Sequence, residues 1–143
     1  MPCRTLPVVT DSDSCGPPAG GVYDWYIRGL ELLASGSPDA AAALLRHAHR
    51  AEPGSASVRE ALARALFDAH RYDEAEEIFG AAAATDPADD YACFGLGLAR
   101  YRRGQVEAAL EPLALAVAMR PQRQDYVEAL RQARATVRAR RMA

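Results

Sequence analysis

The chain has no lysine and no asparagine, and all 17 of its basic side chains are arginine. Isoleucine occurs only at Ile27 and Ile78. This bias points to a GC-rich, bacterial genome and carries no functional information. No apolar run approaches the roughly 20 residues that span a bilayer, which excludes a membrane-spanning helix. The first residues offer only Leu6-Pro7-Val8-Val9 as an apolar stretch. That is shorter than a signal peptide's apolar core, so secretion by that route is not expected.

Cysteine is scarce and dispersed, at Cys3, Cys15 and Cys93, with no CxxC pair. An odd, scattered set reads as free thiols in a reducing, cytoplasmic setting. Cys93 is expected to be a small core hydrophobe. Cys3 lacks the preceding apolar segment of a lipoprotein signal. Histidine is equally scarce. His47 and His49 are two apart on a helix and point to different sides, so they do not form a metal pair. His70 falls in a turn and is expected to be solvated. No nucleophile elbow or phosphate loop occurs, and Gly95-Leu96-Gly97 reads as helical sequence. No catalytic residue, metal site or cofactor is therefore expected. The net charge of −2 gives no global attraction to nucleic acid or membrane.

What the chain does have is a period. Its 143 residues, half apolar and a quarter charged, suit one soluble domain. Pro53, Pro87 and Pro121 are 34 residues apart, as are Ala48, Ala82 and Ala116. Ala41, Ala75 and Ala109 keep the spacing, and so do Leu45, Phe79 and Leu113. Gly29, Ala63 and Gly97 form a row of small residues in the same register. Each period reads as two helices. The first breaks at Ser35-Gly36-Ser37-Pro38, with Ser37 as cap and Pro38 at the first helical position. The second unit breaks at Ala69-His70-Arg71, and Ser57 with Glu60 has capping-box spacing at its start. The third breaks at Gly104-Gln105. Each proline ends the second helix of its unit. A single helix pair cannot bury its apolar faces, so like pairs must stack, and about three are needed.

The pattern resembles the tetratricopeptide repeat (TPR). Trp25, Gly29, Ala41, Leu45, Ala48 and Pro53 match in the first unit. Leu62, Ala63, Ala75, Phe79, Ala82 and Pro87 match in the second, and Leu96, Gly97, Ala109, Leu113, Ala116 and Pro121 in the third. The resemblance implies an all-α, right-handed superhelical solenoid of three antiparallel helix pairs, over 22–55, 56–89 and 90–123. Residues 1–21, rich in proline and glycine, read as a disordered arm. Residues 124–143 read as an amphipathic capping helix, with Tyr126, Val127, Leu130, Ala133 and Val137 on its packing face. Some positions depart from the pattern. Arg28 replaces a leucine, Arg59 and Cys93 replace the tryptophan, and Arg100 replaces an aromatic. Pro112 falls inside a helix and is expected to kink it.

The resemblance also implies a concave groove lined by the first helix of each unit. Carried over, it places Tyr23, Tyr26, Leu30 and Leu33 there from the first unit. Ser57, Glu60, Arg64, Phe67 and Asp68 follow from the second, and Tyr91, Phe94, Leu98, Tyr101 and Arg102 from the third. Asp125, Glu128 and Gln132 close one end. Six of the ten aromatic residues fall on this row, and a solvent-facing aromatic patch marks an interaction site. The alternative is that these rings simply pack on one another. The expected function is a non-catalytic interaction module or adaptor that binds an extended or helical peptide segment of another protein. The ligand implied is apolar or aromatic with one acidic group on Arg64 or Arg102. The Lys and Asn constellation by which some family members clamp a chaperone's terminal carboxylate cannot be assembled here, so that type of partner is not expected. The segment Leu6-Pro7-Val8-Val9 is a candidate occupant in cis, or in trans as a dimer contact.

Charge is divided along the chain. Residues 123–143 carry six arginines and two acids, with Arg131, Arg134, Arg138, Arg140 and Arg141 forming a basic end that has no evident acid partner. The bland reading is a helix end that suits the dipole and stays solvated. The alternative is contact with nucleic acid or an anionic membrane surface. A third function class is a homo-oligomerising scaffold. Between Asp73 and Asp90 there are seven acids and no base; those at 73–77 fall in the first turns of a helix, where they favour the dipole, and read as a solvated helix face rather than a metal or basic-partner site.

Overall fold

A computed structural model describes residues 18–143. Cys3, Cys15 and the segment Leu6-Pro7-Val8-Val9 lie outside the described residues. Seven helices and no strand occur among those described: α1 Val22–Ala34, α2 Pro38–Ala51, α3 Ala56–Asp68, α4 Tyr72–Thr85, α5 Asp90–Arg102, α6 Val106–Met119 and α7 Gln124–Met142. The starts of α1, α3, α5 and α7 step by 34 residues, as do those of α2, α4 and α6.

The turns explain the step. Short turns join α1 to α2, α3 to α4 and α5 to α6, which makes each pair antiparallel. In each, the chain reverses through a left-handed residue: Gly36 (φ 83°), His70 (φ 63°) and Gly104 (φ 84°). The residue after it donates back into the helix, Ser37 to Leu32 O, Arg71 to Leu66 O and Gln105 to Arg100 O. This is the Schellman closure of a helix C-terminus. The second helices end at Glu52, Asp86 and Arg120, each just before its proline.

Two capping expectations are corrected. The α3 cap is Ser55, whose hydroxyl accepts from Val58 N at 3.3 Å, so no Ser57–Glu60 box forms. Ser37 is the N-cap residue of α2 but makes no side-chain cap bond, although Pro38 occupies the first turn.

Each helix packs on the one before it, and α1, α3, α5 and α7 also touch in sequence. The second helices α2, α4 and α6 make no close backbone approach to one another, and Arg46 of α2 reaches Glu74 of α4 only by its long side chain. The stack therefore curves, with the first helices on its inner face. Small residues set the close approach within pairs. A Cβ at Gly29 would stand 2.6 Å from Leu45 Cγ, and one at Gly97 2.5 Å from Leu113 Cγ. The alanine rows at 41, 75 and 109 are fully buried. Leu45, Leu62, Leu66, Leu113 and Tyr126 are the largest fully buried side chains. Each buried leucine contributes about 2 kcal/mol through removal from water.

α7 caps the stack with Tyr126, Leu130, Ala133 and Val137 buried. Val127 is 37% exposed and does not belong to that face. Pro112 is buried inside an uninterrupted α6, so the expected kink does not break the helix.

Candidate functional site

The inner face holds one apolar cleft of about 180 Å³ between α3, α4 and α5. Phe67, Phe79, Tyr91, Phe94, Gly95 and Leu98 line it, with Arg64 and Asp68 on its rim. It is smaller than the roughly 300 Å³ or more that drug-sized ligands need, and its size suits one bulky side chain.

Phe79 supplies the floor, and the reason lies in its neighbours. Leu45 and Leu113, its equivalents in the flanking units, sit against glycine in their own hairpins. Phe79 faces Ala63 in its own hairpin and is larger than leucine. Its ring extends into the next unit, where a Cβ on Gly95 would lie 2.5 Å from Cδ1 and Cζ. Gly95 thus admits an aromatic ring to the inner face.

The rings continue in series. Phe79 meets Tyr91 edge-on at 5.9 Å, Tyr91 meets Phe94 at 6.5 Å, and Phe94 stacks on Tyr126 at 4.5 Å. The Arg123 guanidinium lies over the Tyr126 ring at 4.6 Å. The Tyr126 hydroxyl donates to Asp90 Oδ2 at 2.7 Å. Burial pushes the Tyr91 hydroxyl up to about 12, so it stays protonated. Burial and the bond to Asp90 likewise hold Tyr126 above the ordinary tyrosine value. Burial, with Asp89 and Asp90 nearby, raises the Cys93 thiol as well, which keeps it inert.

Residues 32–91 and 66–134 match the family model described as tetratricopeptide repeat. The chain belongs to the tetratricopeptide repeat family. No curated protein matches it in sequence. Its solved relatives in fold include the first TPR domain of human RPAP3, at 18% identity and TM-score 0.77 over 85% of this chain and 96% of that one. The second TPR domain of human RPAP3, in complex with the HSP70 peptide SGPTIEEVD, aligns at 21% identity and TM-score 0.71 over 80% of this chain and 98% of that one. YrrB, described as a TPR protein with an unusual peptide-binding site, aligns at 24% identity and TM-score 0.73 over 77% and 57%.

Within this TPR solenoid the groove residues divide into two sets. Arg64, Phe67, Asp68, Tyr91, Phe94 and Leu98 converge on the cleft. The others do not. Tyr26, Leu30 and Leu33 are half-buried against the first core cluster. Tyr23 is 74% exposed and lines no described cavity. Glu60 borders a small pocket beside the cleft, with Arg59, Asp89 and Tyr91. Its carboxyl is raised by burial and then by Asp89, with Arg64 opposing. Tyr101 is engaged with α7 through a 3.0 Å hydrogen bond between its hydroxyl and Thr136 Oγ1.

Arg102 departs most from expectation. Its Nη1 donates to the Tyr72 hydroxyl at 2.9 Å, and its guanidinium lies 5.4 Å from the Phe67 ring centre and 5.7 Å from that of Tyr72. It fastens α5 to α3 and α4 rather than awaiting a ligand. Arg64 forms no ion pair with a described residue. Asp125 and Glu128, expected at the groove end, pair with Arg123 and Arg131. Sequence reasoning missed Phe79 and Gly95. The signal was present, since aromatic bulk in the second-helix row Leu45, Phe79 and Leu113 coincides with an extra glycine 16 residues after Phe79.

The two charged segments are also more engaged than expected. Glu74 pairs with Arg46 and Arg71 at 2.8 Å each, and Glu76 pairs with Arg100 and Arg103. Glu74 and Glu76 thus tie neighbouring elements, while Asp73 and Glu77 of the same stretch are exposed. At the basic end, Arg140 donates to Gly104 O at 3.0 Å, and Arg141 lies 3.6 Å from Glu107. No helix among the described residues is long and apolar enough to cross a membrane. No group of three metal-ligating side chains occurs among them.

Proposed function

We propose that this TPR chain is a non-catalytic adaptor that holds a peptide segment of a partner protein on its inner face, in the cytoplasm. One large apolar side chain of that segment enters the cleft at Phe67, Phe79, Tyr91, Phe94 and Leu98. Tyr23, Tyr26, Leu30, Leu33, Glu60, Arg64, Tyr101 and Arg102 flank it as the wider groove. The units 22–55, 56–89 and 90–123, with the cap at 124–143, act as one scaffold.

The observation that carries this reading is Leu98. It is half-buried and apolar, yet it belongs to none of the four core clusters. The other cleft rings also serve the core, so they have a structural reason to be present. Leu98 lines the cleft without that structural reason. A small concave apolar site rimmed by opposite charges is what an anchoring side chain requires. The RPAP3 relative bound to an HSP70 peptide supports a peptide ligand on this fold. The ligand itself is expected to differ from a clamped terminal carboxylate, because lysine and asparagine are absent.

The test is selection from a peptide display library on the folded chain, followed by affinity measurement. Leu98→Asp is expected to weaken a selected peptide at least about tenfold, roughly 1.4 kcal/mol. Equal affinity for wild type and Leu98→Asp, with both chains equally helical, would reject the cleft. Binding through α7 as a basic surface has less support, because Arg131, Arg140 and Arg141 already have partners.

A further inference from the structure

The charges near the cleft divide into those already held and those that are not. Arg102 is held by Tyr72 and Phe67, and Arg123 by Asp125. Asp90 accepts from Tyr126 and lies 3.6 Å from Arg120, and Asp89 caps α5 by accepting from Ala92 N. Arg64 and Asp68 are different. Both are exposed on the rim of the cleft, and neither forms an ion pair with a described residue. Glu60, one turn before Arg64, makes no ion pair with it either.

Arg64 and Asp68 stand four residues apart on α3, one turn or about 6 Å along its axis. The base precedes the acid, which is the weaker order for an ion pair within a helix. Phe67, beside Asp68 in the chain, is part of the cleft wall. Burial raises the Tyr91 hydroxyl, Arg64 opposes that shift and Asp68 adds to it, so both charges act on the wall they face. The adjoining pocket is mixed as well, with Arg59 against Glu60 and Asp89. The surround therefore has no dominant sign. Its rim offers two separate points of opposite charge beside one apolar cavity.

A segment charged with one sign gains at one of these points and is repelled at the other. A segment with one acid and one base gains at both, and in one order only. We infer that the segment held in the cleft carries an acidic residue on one side of its apolar anchor and a basic residue on the other, the acid meeting Arg64 and the base meeting Asp68. This rests on the reading of the cleft as a binding site and states what selects its ligand. The anchor supplies most of the affinity. Arg64 and Asp68 fix the order of the flanking charges, because the reversed order sets like charges together. Both contacts are exposed, so salt weakens the selection.

Displayed peptides with a fixed central leucine, selected on the full chain, test this. Wild type is expected to select an acid on one side of the leucine and a base on the other. The variants Arg64→Glu and Asp68→Arg then separate the two contacts. In anisotropy titrations at low salt, a selected peptide should bind each variant about threefold more weakly or worse. Reversing the peptide's acid should restore binding to Arg64→Glu alone, and reversing its base should restore binding to Asp68→Arg alone. The differences should shrink at about 0.5 M salt while the leucine contact persists. Arg64→Gln and Asp68→Asn, each expected to remove the preference for one charge, replace a reversal that lowers helicity. Leu98-dependent peptides that lack the paired charges, or that carry them and are indifferent to both variants, overturn this inference and leave the cleft standing. Rescue by the other reversal overturns it equally. A selection that yields no Leu98-dependent peptide overturns both readings.

Discussion

Arg100 donates from Nη1 to the carbonyl of Ala108 at 3.1 Å. In an unbroken helix that carbonyl would accept from the residue four positions on, which is Pro112 and has no N–H. The arginine that departs from the repeat pattern therefore satisfies the carbonyl left open by the proline that also departs from it. Its Nε at the same time donates to Glu76 at 3.2 Å, which fixes the guanidinium between α4 and α6.

The two departures should be energetically coupled. Arg100→Ala is expected to cost about 1–2 kcal/mol through the lost hydrogen bonds. In a Pro112→Ala background, where an N–H is restored, the cost should fall by about 1 kcal/mol. A double-mutant cycle by urea unfolding measures this. Strict additivity would show that the Arg100 contact does not serve the proline.

His70 occupies the left-handed position that glycine holds at 36 and 104. A residue with a Cβ pays about 1 kcal/mol there. The ring contact with Tyr72 at 5.6 Å returns only part of this. His70→Gly should raise stability by about 0.5–1 kcal/mol, read as a higher urea midpoint at unchanged slope. An unchanged or lower midpoint would mean that the imidazole has a favourable role beyond that ring contact.

Gly95→Ala should destabilise the chain by about 1–3 kcal/mol, because the new Cβ would displace the Phe79 ring from its place against Tyr91. Phe79→Leu, which restores the residue type of the other two units, should rescue it. The rescued chain should be stable but show altered peptide affinity, since the floor of the cleft has changed. Thermal unfolding and anisotropy of a selected peptide separate the two effects.

Stability should depend on pH through groups of opposite sign. His49 is held below its ordinary value of 6.5 by burial and by Arg59, and its Nδ1 is buried without a partner. Its contribution is present above 6.5 and is lost as the pH falls through its lowered folded value. Glu76 is also held low, since the hydrogen bonds from Arg103 and Arg100 outweigh the opposing effect of burial. Its contribution is likewise lost in acid, below the ordinary carboxylate value. Glu60 is raised by burial and by Asp89, so it works in the other direction and favours the fold once protonated. Unfolding free energy of wild type should drop more between pH 7 and pH 5 than that of His49→Leu, in roughly the window where histidine titrates. Parallel curves would remove His49 from the account.

The helices, their order and their rows were legible because a 34-residue step fixes which residues recur on which face, and small, bulky and proline rows agree with one another. The cleft was only partly legible. A ring on the inner face of a first helix has two neighbouring units to choose from, and its position in the repeat does not say which it meets. Tyr101 turned to Thr136 on α7, and Arg102 closed over Phe67 and Tyr72. Both depend on the reach of long side chains across a helix interface. Phe79 was read as core and proved to be floor as well, because its role depends on Gly95 in the next unit. The cap at Ser55 rather than Ser57 reflects the turn after Pro53, whose geometry starts the helix at Ala56 and leaves Ser55 just before it.

The most direct test of the account is residue-resolved NMR of the labelled full chain titrated with a display-selected peptide. The account predicts that the largest amide shifts fall on Arg64, Phe67, Asp68, Tyr91, Gly95 and Leu98, and that Leu98→Asp abolishes them. Shifts centred on the arginines of α7, or on the outer helices α2 and α4, with the cleft amides unmoved, would contradict it.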